Sequence, residues 1–259
     1  MICTKTVCRS LALASAFAGV CAAQAQSTAT TNPPPPQWIS SAALGVTLTR
    51  GNSDTTTLSL SGSTERKWNL NDLTLGADGL YGTERVSGSS GSKEIADMLH
   101  GFAQYNRSFS EQNKFYVYWR EDGLHDGIAD IQYRLTSAPG AGYYFVKEKD
   151  TDVSIEIGPA WIDEKLGNAY LNFATLRAAQ KLHQNISDRA RFWETLEYLP
   201  EVDNLNNYII NAEIGIEADL TKKKNLSLRC TLDDTYNNVP ALGRLKNDLK
   251  LITAIAYKF

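Results

Sequence analysis

From Ile39 to Phe259 apolar and polar residues alternate with a period of two. A helix would bring apolar residues back every three to four positions, so this is the pattern of strands. Leu226, Leu228, Cys230 and Leu232 alternate with Ser227, Arg229, Thr231 and Asp233. Ile210, Ala212, Ile214, Ile216, Ala218 and Leu220 alternate with Asn211, Glu213, Gly215, Glu217 and Asp219. Val153, Ile155 and Ile157 do the same against Ser154, Glu156 and Gly158, and no stretch reads as an amphipathic helix. The spacing predicts about twelve strands, over 39–49, 54–68, 72–83, 95–109, 113–122, 132–147, 151–163, 169–183, 188–199, 206–220, 225–237 and 246–259. At about 10–15 residues they exceed the usual strand and suit one that spans a membrane and extends beyond it.

The connections differ in character along the chain. Asn69–Asp72, Ser110–Asn113, Lys147–Asp150, Asn185–Asp188 and Lys222–Asn225 read as tight polar turns. Between them lie the longer pieces Gly82–Glu94, Gly123–Ile131, Glu164–Ala169, Pro200–Leu205 and Asn238–Leu245, with Arg50–Asp54 the short exception. Short turns on one side and long loops on the other describe an outer-membrane barrel with both termini in the periplasm. Lipid leaves no room for unpaired backbone, so one closed antiparallel up-and-down sheet is expected.

Alternation alone does not separate this fold from a soluble barrel with an apolar interior. The polar face carries Glu156, Glu213, Glu217, Arg229, Asp233, Asp248 and Lys250 in mid-strand, which is costly against lipid and tolerable in a wet lumen. Hydrophobic residues make up 42% of the chain and charged residues 21%, which excludes a bundle of apolar membrane helices. Twelve Tyr, eight Phe and five Trp against two Met tilt the chain towards strands. A formal net charge of −3 gives no case for nucleic acid.

The two ends supply what alternation lacks. Lys5 and Arg9, the apolar run Leu11–Val20 and Ala23-Gln24-Ala25 have the layout of a secretory signal peptide over 1–25. Cleavage there removes Cys3, Cys8 and Cys21, leaves Cys230 alone, and excludes an internal disulfide or a cysteine-based metal site. Residues 26–38, with Pro33–Pro36, read as a polyproline-like periplasmic lead into a barrel over 39–259. At the other end Leu251, Thr253, Ile255, Tyr257 and Phe259 share one face of the last strand. Such a series, ending in an aromatic residue, is similar to the signal by which the barrel-assembly machinery recognises its clients. Outer-membrane lipid and lipopolysaccharide are the other expected partners.

The residues also resemble a family. Thr49-Arg50-Gly51-Asn52-Ser53-Asp54-Thr55-Thr56, Phe115-Tyr116-Val117-Tyr118 with Arg120-Glu121-Asp122, and Tyr133-Arg134 are part of the likeness. Pro139-Gly140-Ala141-Gly142-Tyr143-Tyr144 and Tyr257-Lys258-Phe259 complete it. In order and spacing they resemble the bacterial domain-of-unknown-function family known as salt-induced outer membrane protein. The resemblance implies an outer-membrane β-barrel and no assigned activity. On their own terms, Gly51-Asn52 suits a hairpin turn, and Gly140 and Gly142 leave one face without side chains, for lumen space or a sheet bend.

Candidates for chemistry are few. His183 with Asn185 and Ser187 invites comparison with a Ser-His-Asn lipid hydrolase, but on the periplasmic side and without a clear third orienting group. His125, in a long loop with Glu121, Asp122, Asp126 and Asp130, suggests a divalent-cation site, against which a solvated acidic loop is the plainer reading. His100 is expected to point inward beside Phe102 and Gln104, and Lys222-Lys223-Lys224 is a charged turn. No phosphate-binding or dinucleotide fingerprint occurs, so no catalytic, cofactor-binding or metal residue is assigned. The expectation is a non-enzymatic barrel, either a narrow porin-like diffusion channel or a structural envelope protein, with a mixed-charge lumen. The alternative is an outer-membrane lipid hydrolase of phospholipase or lipid A deacylase type.

One register can be anticipated in detail. If Thr221 and Asn225 pair across the Lys222–Lys224 turn, Glu217 faces Arg229, Asp219 faces Ser227 and Glu213 faces Asp233. Two facing carboxylates repel, and Lys250 is the expected relief for Asp233.

Overall fold

The protein is described by a computed structural model that covers residues 37–49, 53–86, 91–110 and 114–259. The signal-peptide reading over 1–25, nearly all of the proline-rich lead and the Gly51-Asn52 turn lie outside the described residues. The chain forms twelve strands: β1 (Trp38–Thr49), β2 (Ser53–Trp68), β3 (Asn71–Val86), β4 (Lys93–Ser108), β5 (Phe115–Asp126), β6 (Ile131–Lys147), β7 (Thr151–Leu166), β8 (Ala169–Ser187), β9 (Ala190–Pro200), β10 (Tyr208–Asp219), β11 (Leu226–Asn237) and β12 (Asn247–Lys258). Each pairs antiparallel with its chain neighbours, and β12 returns to β1 to close the barrel.

All twelve anticipated strands are present, but three of the five long loops are shorter than expected, those after β3, β5 and β7. The strands run on through several segments read as loop, so Glu164–Ala169 becomes a two-residue turn at Gly167-Asn168, with Gly167 at φ +58°. On the other side Asn69, at φ 49°, begins an equally tight turn into β3. Polar residues in a barrel can stay in the ladder and face water from above the bilayer, so polarity marked the membrane edge rather than the strand end.

The outer face is apolar. Leu44, Val46, Leu60, Ile157, Ile216, Leu251 and Ile255 all point out and are exposed. Aromatic residues gather towards the short-turn end, with Phe109 stacked on Phe115, Tyr143 edge-on to Phe145, and Tyr257 stacked on Phe259. Towards the other end lie Tyr170 and Tyr198. Burial is on the inner face, and it includes charged groups: Glu156, Arg177 and Glu217 are 1–2% exposed.

Four inward glycines share one device. Gly76 pairs with Phe102, Gly140 with Tyr118, Gly142 with Tyr116 and Gly215 with Trp193. At each, a Cβ would collide with the ring of its partner. The Gly140–Gly142 segment therefore does not leave lumen space, as the sequence suggested. Tyrosine rings lie flat across it.

Candidate functional site: the lumen

The lumen has two unlike walls. Along β2 the inward residues Thr55, Thr57, Ser59, Ser61 and Ser63 form a run of short hydroxyl side chains that solvent reaches, which ends at the charged pair Glu65 and Lys67. β1 continues it with Ser41, Ala43 and Gly45, and Ser41 Oγ lies 2.9 Å from Ser63 Oγ. Side chains on this stretch are small and partly exposed to solvent.

The opposite side is filled by charge. The Glu156 carboxylate on β7 accepts from Tyr116 Oη, Gln104 Nε2 and Lys181 Nζ, each at 2.9 Å, and from Arg177 Nη1 at 2.8 Å. Arg177 Nε also reaches Glu197 at 2.5 Å, which accepts from Asn211 Nδ2 at 3.0 Å. Gln104 takes hydrogen bonds from Arg120 at 3.1 Å and Lys181 at 3.0 Å. Arg120 makes a two-point contact with Asp122, both bonds at 2.7 Å, and its guanidinium lies 4.4 Å from the Phe102 ring centre. His100 links Asp122 at 3.3 Å to Asp78 at 2.8 Å. The result is one polar chain from β3 to β10, whose Gln104–Glu156 bond crosses from β4 to β7. Buried charges persist only where such bonding satisfies them.

A second cluster occupies β9 to β12 near the short-turn end. Glu217 accepts from Arg191 at 2.7 Å, Arg229 at 2.9 Å, Lys258 at 3.0 Å and the Ser227 hydroxyl. Asp219 binds Arg191 at 3.0 Å and Lys258 at 3.5 Å. The anticipated register holds: Glu217 faces Arg229, Asp219 faces Ser227 and Glu213 faces Asp233. The Glu217–Arg229 pair is part of a larger, buried cluster in which Glu217 meets three cations.

Lys250 corrects the expectation made for it. It does face Asp233 across β11–β12, but its ammonium turns to Asp126 on β5 at 3.3 Å, with Met98 Sδ on β4 at 3.0 Å. Asp126 is held for this by the N–H groups of Ile128 and Ala129 at 3.0 and 2.9 Å. Above this bridge the 238–246 loop crosses the mouth, and Ala241 packs against Ile131 of β6 and Leu166 of β7. We refer to this crossing segment as the strap. Sequence shows which strands are neighbours in a barrel but carries no signal for contacts across it.

The histidines fall apart as candidate sites. His125 is in β5, not in a loop, and alternation sends Glu121 outward while Asp122 and Asp126 face the lumen. Among the described residues no group of His, Cys, Asp and Glu could hold a metal ion. His183 and Ser187 lie four residues apart along the extended β8, about 13 Å by strand rise, so the hydroxyl is out of the ring's reach. His100 stands inward against Phe102, as expected, with ring centres 6.0 Å apart.

A closed barrel that is apolar outside and charged within inverts the soluble arrangement and defines a membrane-spanning β-barrel. The chain belongs to the family described as "Protein of unknown function, DUF481", which matches residues 42–259. That match shows the family anticipated from the residues and does not bear on salt induction. No curated protein matches the chain. Among solved structures it is similar to the NanC porin, at 9% identity over 85% of this chain and 100% of that one, with a TM-score of 0.49. It is similar to an outer membrane channel from Pseudomonas putida F1, at 13% identity over 88% and 97% of the two chains, with a TM-score of 0.49. The translocator domain of the autotransporter NalP from Neisseria meningitidis is 14% identical over 88% and 90%, with a TM-score of 0.42.

Proposed function

We propose that this protein is a narrow passive conduit for small hydrophilic solutes in the bacterial outer membrane. The observation that carries the reading is the eccentric lumen: a solvent-reached hydroxyl wall on β1 and β2 faces a fixed polar network on β4 to β10. A structural envelope protein has no need of a wall kept free of large side chains. Large solutes are excluded by the network, and hydroxyl groups exchange hydrogen bonds with a passing solute at little cost. Among the described residues no nucleophile, base and orienting group come together, so a lipid hydrolase is not the reading supported.

The rest of the assignment follows the same physics. Residues 1–25 are removed on export through the Sec pathway, residues 26–38 lead into the barrel, and both termini lie in the periplasm. The barrel-assembly machinery receives the last strand through Phe259. Purified protein in planar bilayers tests the conduit: small, stepwise conductance is expected. A silent bilayer containing demonstrably folded barrel would overturn it.

A further inference from the structure

The barrel wall is not closed to the same height all round. β1 pairs with β2 from Trp38–Arg66 to Thr49–Thr55, and β12 pairs with β11 from Leu226–Tyr257 to Tyr236–Asn247. Between β1 and β12 the register runs only from Ser41–Lys258 to Leu44–Ile255. Below it, Ser40 and Phe259 exchange two backbone hydrogen bonds at 3.2 and 3.0 Å. Above it, residues 45–49 and 247–254 have no register partner across the seam among the described residues.

Burial changes at the same height. On the inward face Ala43 is 3% exposed and Ala256 0%, whereas Thr47 is exposed. The strands still touch at Gly45, where a Cβ would collide with the Thr253 carbonyl oxygen. Backbone pairing across the seam therefore ends near that contact. Outside it stand Val46, Leu249 and Leu251, all exposed and apolar, so this part of the seam faces hydrocarbon. Backbone groups at that depth need partners or an aqueous cavity behind them.

A second observation points the same way. The strap and the Lys250–Asp126 bridge narrow the axial mouth at the end where the seam parts. Beside that bridge the lumen has an apolar patch: Met98 touches the Lys250 ammonium, Leu80 is the register partner of Met98, and Ile252 is the next inward residue on β12. An obstructed mouth, a parted wall and an apolar lining meet at one place.

We propose that the half-paired β1–β12 seam is a lateral portal through which molecules bearing a single alkyl chain pass between bilayer and lumen. The chain slides between Val46 and Leu251 outside and reaches Ile252, Leu80 and Met98 inside. The polar end meets Thr47, Thr57 and the β2 hydroxyls. The proposal rests on the conduit reading for what becomes of the molecule once inside.

The test uses the folded barrel in lipid vesicles, with Cys230→Ser as background. Continuing the register by three places makes Thr47 and Ile252 partners, so Thr47→Cys with Ile252→Cys locks the seam on oxidation. The probe is dodecanol carrying a terminal diazirine, photolysed and mapped by mass spectrometry. With the seam reduced, labelling is expected on Leu80 or Met98 as well as on outward Leu249 and Leu251. Oxidation should lower the inward labels by an order of magnitude and leave the outward ones. Inward labelling that is absent, or unchanged by the lock, overturns the portal. Backbone contacts between Thr47 and Ile252 in spectra of the lipid-embedded unlocked barrel also overturn it. Arabinose flux in the same vesicles reports separately on the conduit, so loss of flux and loss of lock-dependent labelling are distinguishable failures.

Discussion

At the scale of single residues, Arg177 is the side chain on which most depends. It binds Glu156 and Glu197 at once while 2% exposed. Arg177→Met keeps the bulk but leaves Glu197 without its cation and Glu156 with Lys181 alone. Such uncompensated burial costs about 3–5 kcal/mol, and urea unfolding in lipid vesicles should read a loss of that order. Gly142 makes a contrasting case. Gly142→Val drives a branched side chain into the Tyr116 ring, and overpacking of this kind costs about 1–3 kcal/mol. A variant as stable as the parent would show that the ring moves away freely. Glu213 and Asp233 face each other, and Lys250 is engaged elsewhere. The lumen should therefore prefer cations slightly. Glu213→Gln with Asp233→Asn should lower the potassium-to-chloride permeability ratio by about two-fold in reversal-potential measurements.

At the scale of elements, the recognition role proposed for the last strand rests on its outward series. Tyr257 and Phe259 stack with ring centres 6.3 Å apart at the chain's end. Phe259→Asp is expected to reduce the yield of inserted barrel, read as outer-membrane protein per cell. Unchanged yield would remove Phe259 from the recognition face. The strands themselves were legible because a side chain in a closed sheet has two destinations, lipid or lumen, and period two records which. The β10–β11 register was legible because the Thr221–Asn225 turn fixes it, and those two side chains do bond at 2.8 Å. Loop lengths were not legible, since Glu164 to Leu166 are polar or mixed and still belong to β7. His125 was misplaced for the same reason. Gln104–Glu156 and Lys250–Asp126 join strands far apart in sequence, and alternation is silent on such chords.

For the whole molecule, stability comes from closure: every strand has two neighbours, and no sheet edge is free along its full length. Such a barrel should resist detergent until heated, so boiled and unboiled samples are expected to migrate differently on a gel. Co-migration under conditions that keep other barrels folded would contradict the closed ring. The division of the lumen into a hydroxyl wall and a charged wall is likewise a property of the ring, because it emerges only when the strands are set side by side. Its legibility was partial. The charged residues could be assigned to the inside from the sequence, but that they crowd β3 to β12 while β1 and the Thr55–Ser63 stretch of β2 stay small is visible only once the strands are laid around a circle.

The short seam between β1 and β12 also bears on how the ring comes to exist. Eleven of its joints link consecutive strands, which can find each other as hairpins while the chain is still being threaded into the bilayer. The twelfth must join the two ends of the sequence, at the greatest loop-closure cost, and it gains only a brief ladder in return. It should form last during assembly and part first under mechanical pull. A barrel stretched from its termini would then unroll from this line, strand by strand, rather than collapse as a unit.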